Sequence, residues 1–201
     1  MTPRERAKRG EGEKLRHEIL DAGRRLLFET GDEGAVTIRA VAKAVGVSPP
    51  SIYLHFADKD ALLLAVCEET FTALDEAIEK AVAGIDDIGE ELRARGKAYV
   101  RFGLDNPEQY RILFMTRPIG FKPGDELPAT SAFGHHLEAM QRASDAGVFV
   151  EGMDPTLAAL TVWAGVHGVT SLLIAKPMFG WPDLDALIDS VLATLVRGLS
   201  R

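Results

Sequence analysis

The stretch GVSPPSIYLHFADKDALL, residues 46–63, decides how this chain folds. Two adjacent prolines stand where the surrounding periodicity asks for a helix, and proline removes a backbone donor and breaks helix interiors. The conflict resolves if Ser48 is an N-cap and Pro49 and Pro50 take the first two helical positions. The first four backbone N–H groups of a helix have no intrahelical partner, so neither proline removes a bond the helix would make. The same grammar recurs at Asn106-Pro107 and Asp154-Pro155, each at the head of an apolar helical stretch.

Upstream, Leu15, Ile19, Ala22, Leu26 and Leu27 recur at three- and four-residue steps, which predicts a helix over 13–29 stopped by Gly31. Thr37 is a plausible N-cap for a second helix, 37–45, with Ile38, Val41, Ala42 and Val45 inward and Gly46 at its end. With a third helix at 48–55, this is the layout of a helix-turn-helix, whose second helix can lie in a DNA major groove. The helix 13–29 is placed to buttress the pair. Downstream the pattern predicts helices from 58 into the 80s and at 87–104, 107–116, 126–146, 155–175 and 183–199. Breaks fall at Asn106-Pro107, Arg117-Pro118, Gly147 and PMFGWPD, residues 177–183. No segment alternates as a strand would. The expected fold is all-α: a three-helix head followed by a helical bundle, about nine helices in all. The expected division is a mobile basic arm at 1–12, a DNA-binding head at 13–60 and a ligand-binding and dimerisation body at 61–201.

Composition narrows the function. With 201 residues, 46% of them hydrophobic, the chain can bury a substantial core. The net charge is −7, yet residues 1–59 hold 11 Lys/Arg against 9 Asp/Glu and residues 60–201 hold 12 against 21. A weakly basic head on an acidic body fits a molecule that meets phosphate only through its head. The single cysteine, Cys67, allows no disulfide framework and fits a reducing cytoplasm. No apolar run is expected to reach the roughly 20 residues that span a bilayer, and no secretory signal is evident. The sequence therefore predicts a soluble cytoplasmic protein with no membrane partner.

Within 48–56, Ile52 and Phe56 are four apart and point to the core, while Ser51, Tyr53, Leu54 and His55 spread over the other faces. Tyr53 can donate its hydroxyl to a phosphate oxygen while its ring packs on the scaffold. Thr37 and Lys59 stand near helix N-termini, where phosphate contacts are favoured.

The segment TIRAVAKAVGVSPPSIYLHFADKDALL, residues 37–63, preceded by ILDAGRRLLFETG, resembles the TetR family of bacterial transcriptional regulators. The match covers about the first third of the chain. The resemblance implies Thr37, Ser48, Ser51, Tyr53, His55 and Lys59 as DNA-facing positions on double-stranded operator DNA. It also implies a helical C-terminal domain that binds a small-molecule effector and pairs two subunits. One departure stands out: many relatives carry a basic residue or glycine where this chain has Pro49 and Pro50. No Lys or Arg lies between Ser48 and His55, so the guanidinium that commonly grips guanine is missing. Apolar contact of Pro49 and Pro50 with thymine methyls would take its place. Charge would then come from Arg39, Lys43, Lys59 and the RERAKR arm.

In the body, TLAALTVWAGVHGVTSLLIAK, residues 156–176, sets Trp163 and His167 on one helical face. Ala164, Gly168 and Ser171 form a stripe of small residues beside them, with Gly165 close by. The W-x-x-x-H-G pattern is similar to one in a subgroup of TetR-type C-terminal domains. In that family the last two long helices of each subunit build a four-helix dimer bundle, here 155–175 and 183–199. Leu184, Leu187, Ile188, Val191, Leu195 and Leu199 make an apolar stripe on the second, which suits a partner surface and an intrachain core equally. Tyr99, Phe102, Tyr110, Phe114, Met115, Phe133, His136, Met140, Trp163 and His167 are the candidate effector lining, suited to an apolar or aromatic molecule. Each has core packing as its plain alternative.

An enzyme and a helical adaptor without DNA binding are the rival readings. No Gly-rich phosphate loop or Ser/His/Asp signature is present. His135 and Glu138 share a face but make a poor metal site without further ligands, and Cys67 lies among apolar residues. No catalytic residue, metal or cofactor is expected.

Overall fold

The computed structural model describes residues 11–115 and 130–200; the side chains of Glu11, Met115 and 130–132 are not described. The arm at 1–10, the break at Arg117-Pro118 and the expected helix start at 126 lie outside these residues. The described chain is all-α: α1 (Glu11–Thr30), α2 (Ile38–Val45), α3 (Pro49–Ile52), α4 (Lys59–Val82), α5 (Ile88–Asp105), α6 (Pro107–Met115), α7 (Thr130–Asp145), α8 (Pro155–Ala175) and α9 (Leu184–Leu199). A single 3-10 turn, Glu33–Ala35, links α1 to α2. Residues 11 and 12 are thus helical rather than part of an arm.

The described residues form two compact units. The first takes the chain up to Glu69 and the end of α6 from Arg111; the second takes Thr70–Tyr110 and α7 to α9. In the first unit, Ile19, Leu20, Leu27, Val36, Val41, Ile52, Phe56, Leu62 and Leu63 close one core, with Ile112 packed in. Local signals set the boundaries. Thr37 Oγ1 accepts from the Ala40 amide at 3.1 Å. Gly46 ends α2 in the left-handed region at φ 76°, a conformation that favours glycine. Asp58 accepts from the Ala61 amide at 2.8 Å and opens α4.

The helix after the prolines is shorter than the sequence pattern suggested, one turn (Pro49–Ile52) in place of 48–55. Ser48 holds the N-cap position but makes no side-chain cap bond. The physical reason is the prolines: only Ser51 can donate, and its amide goes to the Ser48 carbonyl at 2.9 Å. The two hydroxyls, Ser48 Oγ and Ser51 Oγ, bond to each other at 2.9 Å. At the other end, the His55 and Phe56 amides both turn back to the Ile52 carbonyl, at 2.9 and 3.0 Å, and close the turn.

In the second unit, α8 packs against α5, α7 and α9. α8 corrects one expectation: its 21 residues are long and apolar enough to cross a membrane. One side of it goes to this unit: Ala158, Ala159, Val162, Val166, Val169, Leu173 and Ile174 are buried. Asp154 caps it by accepting from the Thr156 amide at 2.8 Å. α6 does open at Pro107, but the Asn106 side chain donates to the Phe102 carbonyl at 3.0 Å, ending α5 instead of capping α6.

Close approach in this unit depends on Gly103, which the small-residue stripe did not include, and on Gly165 beside that stripe. A Cβ at Gly103 would lie 2.4 Å from Thr170 Cγ2 and 2.9 Å from the Tyr110 ring, and both neighbours are fully buried. At Gly165 the neighbour is the flexible end of Leu195. Around Gly134 a Cβ meets nothing within 4 Å. Gly103→Ala is therefore expected to destabilise by about 1–3 kcal/mol, because overpacking outweighs helix propensity. Gly134→Ala should stabilise by about 0.5–1 kcal/mol. Urea midpoints at unchanged slope check both signs.

Candidate functional site

The first candidate surface is the turn that follows the prolines. Ile52 is fully buried and Phe56 nearly so, anchoring the segment from both ends. Arg16 lies over the Phe56 ring at 5.2 Å and adds a cation–π contact from α1. With those anchors inward, Tyr53 and Leu54 are forced out, 55% and 82% exposed. Ser48, Pro49 and Pro50 are exposed beside them, and Ser51 and His55 half-exposed. Thr37 and Arg39 are exposed at the start of α2, and Lys43 further along it. Lys59 is half-buried, with Nζ donating to the Glu33 carbonyl at 3.0 Å, which ties α4 to the 3-10 turn. The nine DNA-facing candidates thus all belong to one compact unit. Their surface offers hydroxyls, one imidazole and apolar rings, with Arg39 and Lys43 as nearby cations.

The second candidate site lies in the other unit, where α5, α6 and α8 bring polar groups together. Trp163 Nε1 donates to Tyr99 Oη at 3.2 Å, and Tyr99 Oη meets Tyr110 Oη at 3.1 Å. Tyr110 Oη reaches His167 Nδ1 at 2.6 Å, and His167 Nε2 meets Ser171 Oγ at 3.3 Å. One assignment satisfies these four contacts: Tyr99 donates to Tyr110, Tyr110 donates to Nδ1, and a neutral imidazole donates from Nε2 to Ser171. The rings add their own contacts, with Tyr110 stacked on His167 at 5.6 Å and Trp163 edge-on to Phe133 at 6.1 Å. Phe133 also meets His136 at 6.2 Å. Burial holds His167 and His136 below the ordinary imidazole range, and His136 Nε2 donates to the Ala159 carbonyl at 3.0 Å. Burial, with Tyr110 adjacent, raises the Tyr99 phenol well above its usual value.

Six of the ten effector candidates therefore form one connected group: Tyr99, Tyr110, Phe133, His136, Trp163 and His167. Met140 is 1% exposed in the core that Leu92, Ala139, Phe149 and Val162 also fill. Phe102 is half-buried on α5. Phe114 belongs to the first unit, and the Met115 side chain lies outside the described residues. Ser171 was read only as a small residue, yet it completes the chain of hydrogen bonds. Its place four residues after His167 was the available signal.

Cys67 is buried, and desolvation with Glu68 nearby pushes its thiol up to about 11, the state of an inert side chain. A feature that sequence spacing missed lies on α4 and α7. His135 Nδ1 sits 2.9 Å from Asp75 Oδ1, with Glu79 one turn along α4.

Comparison with known proteins agrees with this arrangement. Residues 19–66 match the family model for "Bacterial regulatory proteins, tetR family", and residues 92–195 match "Tetracyclin repressor-like, C-terminal domain". A protein of unknown function from Rhodococcus sp. RHA1 is 26% identical, with a TM-score of 0.78 and all of both chains covered. A TetR family transcription regulator from Marinobacter aquaeolei VT8 is 21% identical, with a TM-score of 0.73 over 96% of this chain and 99% of that one. The transcriptional regulator FadR from Bacillus subtilis, in complex with stearoyl-CoA, is 20% identical, with a TM-score of 0.70 over 91% and 98%.

The His167 network makes a pH prediction. A base with a depressed folded value binds fewer protons when folded than when unfolded. Stability is then full above about pH 6.5, the unfolded value, and falls as pH drops towards the folded one. The groups facing the ring, Tyr99, Tyr110, Trp163 and Ser171, stay uncharged throughout. Thermal melts from pH 7.5 to 5.0 should show this loss, and His167→Gln should flatten the slope.

Proposed function

The chain belongs to the TetR family of bacterial regulatory proteins, and from that membership we propose that it is a repressor: a homodimer that holds a palindromic operator and releases it when a small, mostly apolar or aromatic effector binds. That it is a DNA-binding transcriptional regulator follows from the family itself. The observation that carries the proposed reading mode is the turn after Pro50, with Ile52 and Phe56 buried and Tyr53 and Leu54 exposed on one short segment. In this reading Thr37, Ser48, Ser51, Tyr53, His55 and Lys59 make phosphate and base-edge contacts, joined by Arg39. Pro49 and Pro50 lie against thymine methyls. The head at 13–60 does this work in the cytoplasm, and the body at 61–201 carries the effector and dimer surfaces.

The dimer rests on a face of α8 that its own chain leaves open. Leu157, Leu160 and Leu172 are 58%, 42% and 53% exposed, with exposed Ala164 between them. Gly168 continues the row, and a Cβ there meets nothing within 4 Å. Ile188, Leu192 and Leu199 of α9 are buried within the subunit, while Ala186, Ser190, Thr194 and Gly198 form an exposed row of small residues. Leucines on one helix and small residues on its neighbour suit a self-complementary four-helix interface. Two heads held one DNA turn apart, roughly 34–36 Å, would match a palindrome.

The effector site would be the aromatic group of Trp163, Phe133 and His136, with Tyr99, Tyr110 and His167 as its polar handles. The Bacillus subtilis neighbour is a complex with stearoyl-CoA, a molecule with a long apolar chain. Release follows only if the effector binds the DNA-incompetent state more tightly.

Three experiments test the reading. After selection from random duplexes, the preferred site should outcompete random DNA by about 10³-fold or more, and affinity should fall steeply between 50 and 200 mM salt. Pro49→Ala with Pro50→Ala should weaken that preference and leave random-DNA affinity intact. Unchanged affinity and unchanged preference would refute the thymine contact. Leu160→Glu with Leu172→Glu should sediment as a monomer and lose operator binding.

A further inference from the structure

We propose that Asp75, Glu79 and His135 bind a divalent transition-metal ion of the Zn2+ kind, clamping α4 to α7 within the second unit. Asp75 and Glu79 are one helical turn apart on α4, so their side chains project from the same face. His135 on α7 brings Nδ1 to 2.9 and 3.0 Å from the two Asp75 oxygens and to 3.9 Å from Glu79 Oε1. One donor atom from each residue lies within 4.8 Å of the others. Zinc bonds of 2.0–2.2 Å place tetrahedral ligand atoms roughly 3.4 Å apart, between the two spacings seen here. Side-chain shifts of under about 1 Å would complete the site.

The surrounding charges favour a cation. Asp75, Glu79 and Glu138 act on His135, and Glu91 adjoins them through Arg95; Arg95 and Arg142 are the cations paired with this group among the described residues. Both guanidiniums are already engaged: Arg95 bonds Glu91 and Glu79 at 2.8 Å, and Arg142 reaches the same Glu91 oxygen at 2.5 Å. With a neutral imidazole, the group keeps an excess of two negative charges, which one divalent ion cancels. Arg95 Nη1 donates to the same Glu79 Oε1 at 2.8 Å and holds that carboxylate towards the site. The Asp75 side chain is recessed at 14% exposure, whereas His135 and Glu79 stand at the rim at 45% and 40%, so water can enter and complete the coordination.

One imidazole with two carboxylates is a mixed donor set that suits Zn2+ or Co2+ better than Mg2+ or Ca2+, which prefer oxygen alone. His135, short of ligands when read along its own helix, thus gains two carboxylates from α4.

The test is calorimetric titration of the EDTA-treated full chain with Zn2+ and with Mg2+. The expected result is one Zn2+ per chain, with Mg2+ far weaker. His135→Gln and Asp75→Asn should each lower Zn2+ affinity by about tenfold or more, and His17→Gln should leave it unchanged. Co2+ should give visible absorption bands in the wild type that His135→Gln loses. Far-ultraviolet dichroism of the metal-free variants confirms folding, and Glu79→Gln serves if Asp75→Asn unfolds. Absence of Zn2+ binding, or binding that survives both the His135 and carboxylate variants, overturns the proposal.

Discussion

A helix of one turn makes too few backbone hydrogen bonds to fix its own position. α3 has no donor at its first two positions, and the amide at its third, Ser51, takes the Ser48 carbonyl. Its position is therefore set by tertiary anchors: Ile52 in the core of the first unit, Phe56 beneath Arg16, and two amides returned to the Ile52 carbonyl. Because those anchors are four residues apart, what lies between them must face outward. The exposure of Tyr53 and Leu54 is a consequence of that spacing and supplies the surface on which the functional reading rests.

The same logic of forced exposure operates on α8. A helix that is apolar around its whole circumference is either buried on all sides or awaiting a partner. Here α5, α7 and α9 cover one side, and the row from Leu157 to Leu172 remains open. Near its middle the helix carries the opposite feature, a hydrogen-bonded chain running from Trp163 through two tyrosines to His167 and Ser171. A buried polar network of this kind is stable only while each member is satisfied, which is the condition under which a ligand able to replace one link can shift the whole.

Much of the fold was legible because its signals are local. Thr37, Gly46 and Asp154 mark helix ends through bonds that span two to four residues, and these read directly from the sequence. The end of α3 was not legible, since a period that suits a helix to 55 does not reveal that the His55 and Phe56 amides turn back to the Ile52 carbonyl. Nor was the use of the Ser48 hydroxyl, which finds Ser51 because Pro50 has no N–H to offer. Contacts between distant segments escaped for a different reason. Asp75 and His135 are separated by 60 residues, and no spacing rule on one helix pairs them. Gly103 likewise gains its meaning only from Thr170 and Tyr110. Of the effector candidates, aromatic content identified a group that does assemble, but it did not separate Met140, which is plain core, from Tyr110, which joins the network.

Accessibility of the α3 turn with and without DNA tests the central claim most directly. Cys67 is 5% exposed and its thiol is raised to about 11, so Leu54→Cys introduces the one readily reactive thiol among the described residues. Its rate of alkylation should be near that of a free thiol in the unbound protein and should fall at least tenfold in the presence of saturating preferred-site DNA. An alkylation rate at position 54 that DNA leaves unchanged would show that this turn does not enter the duplex.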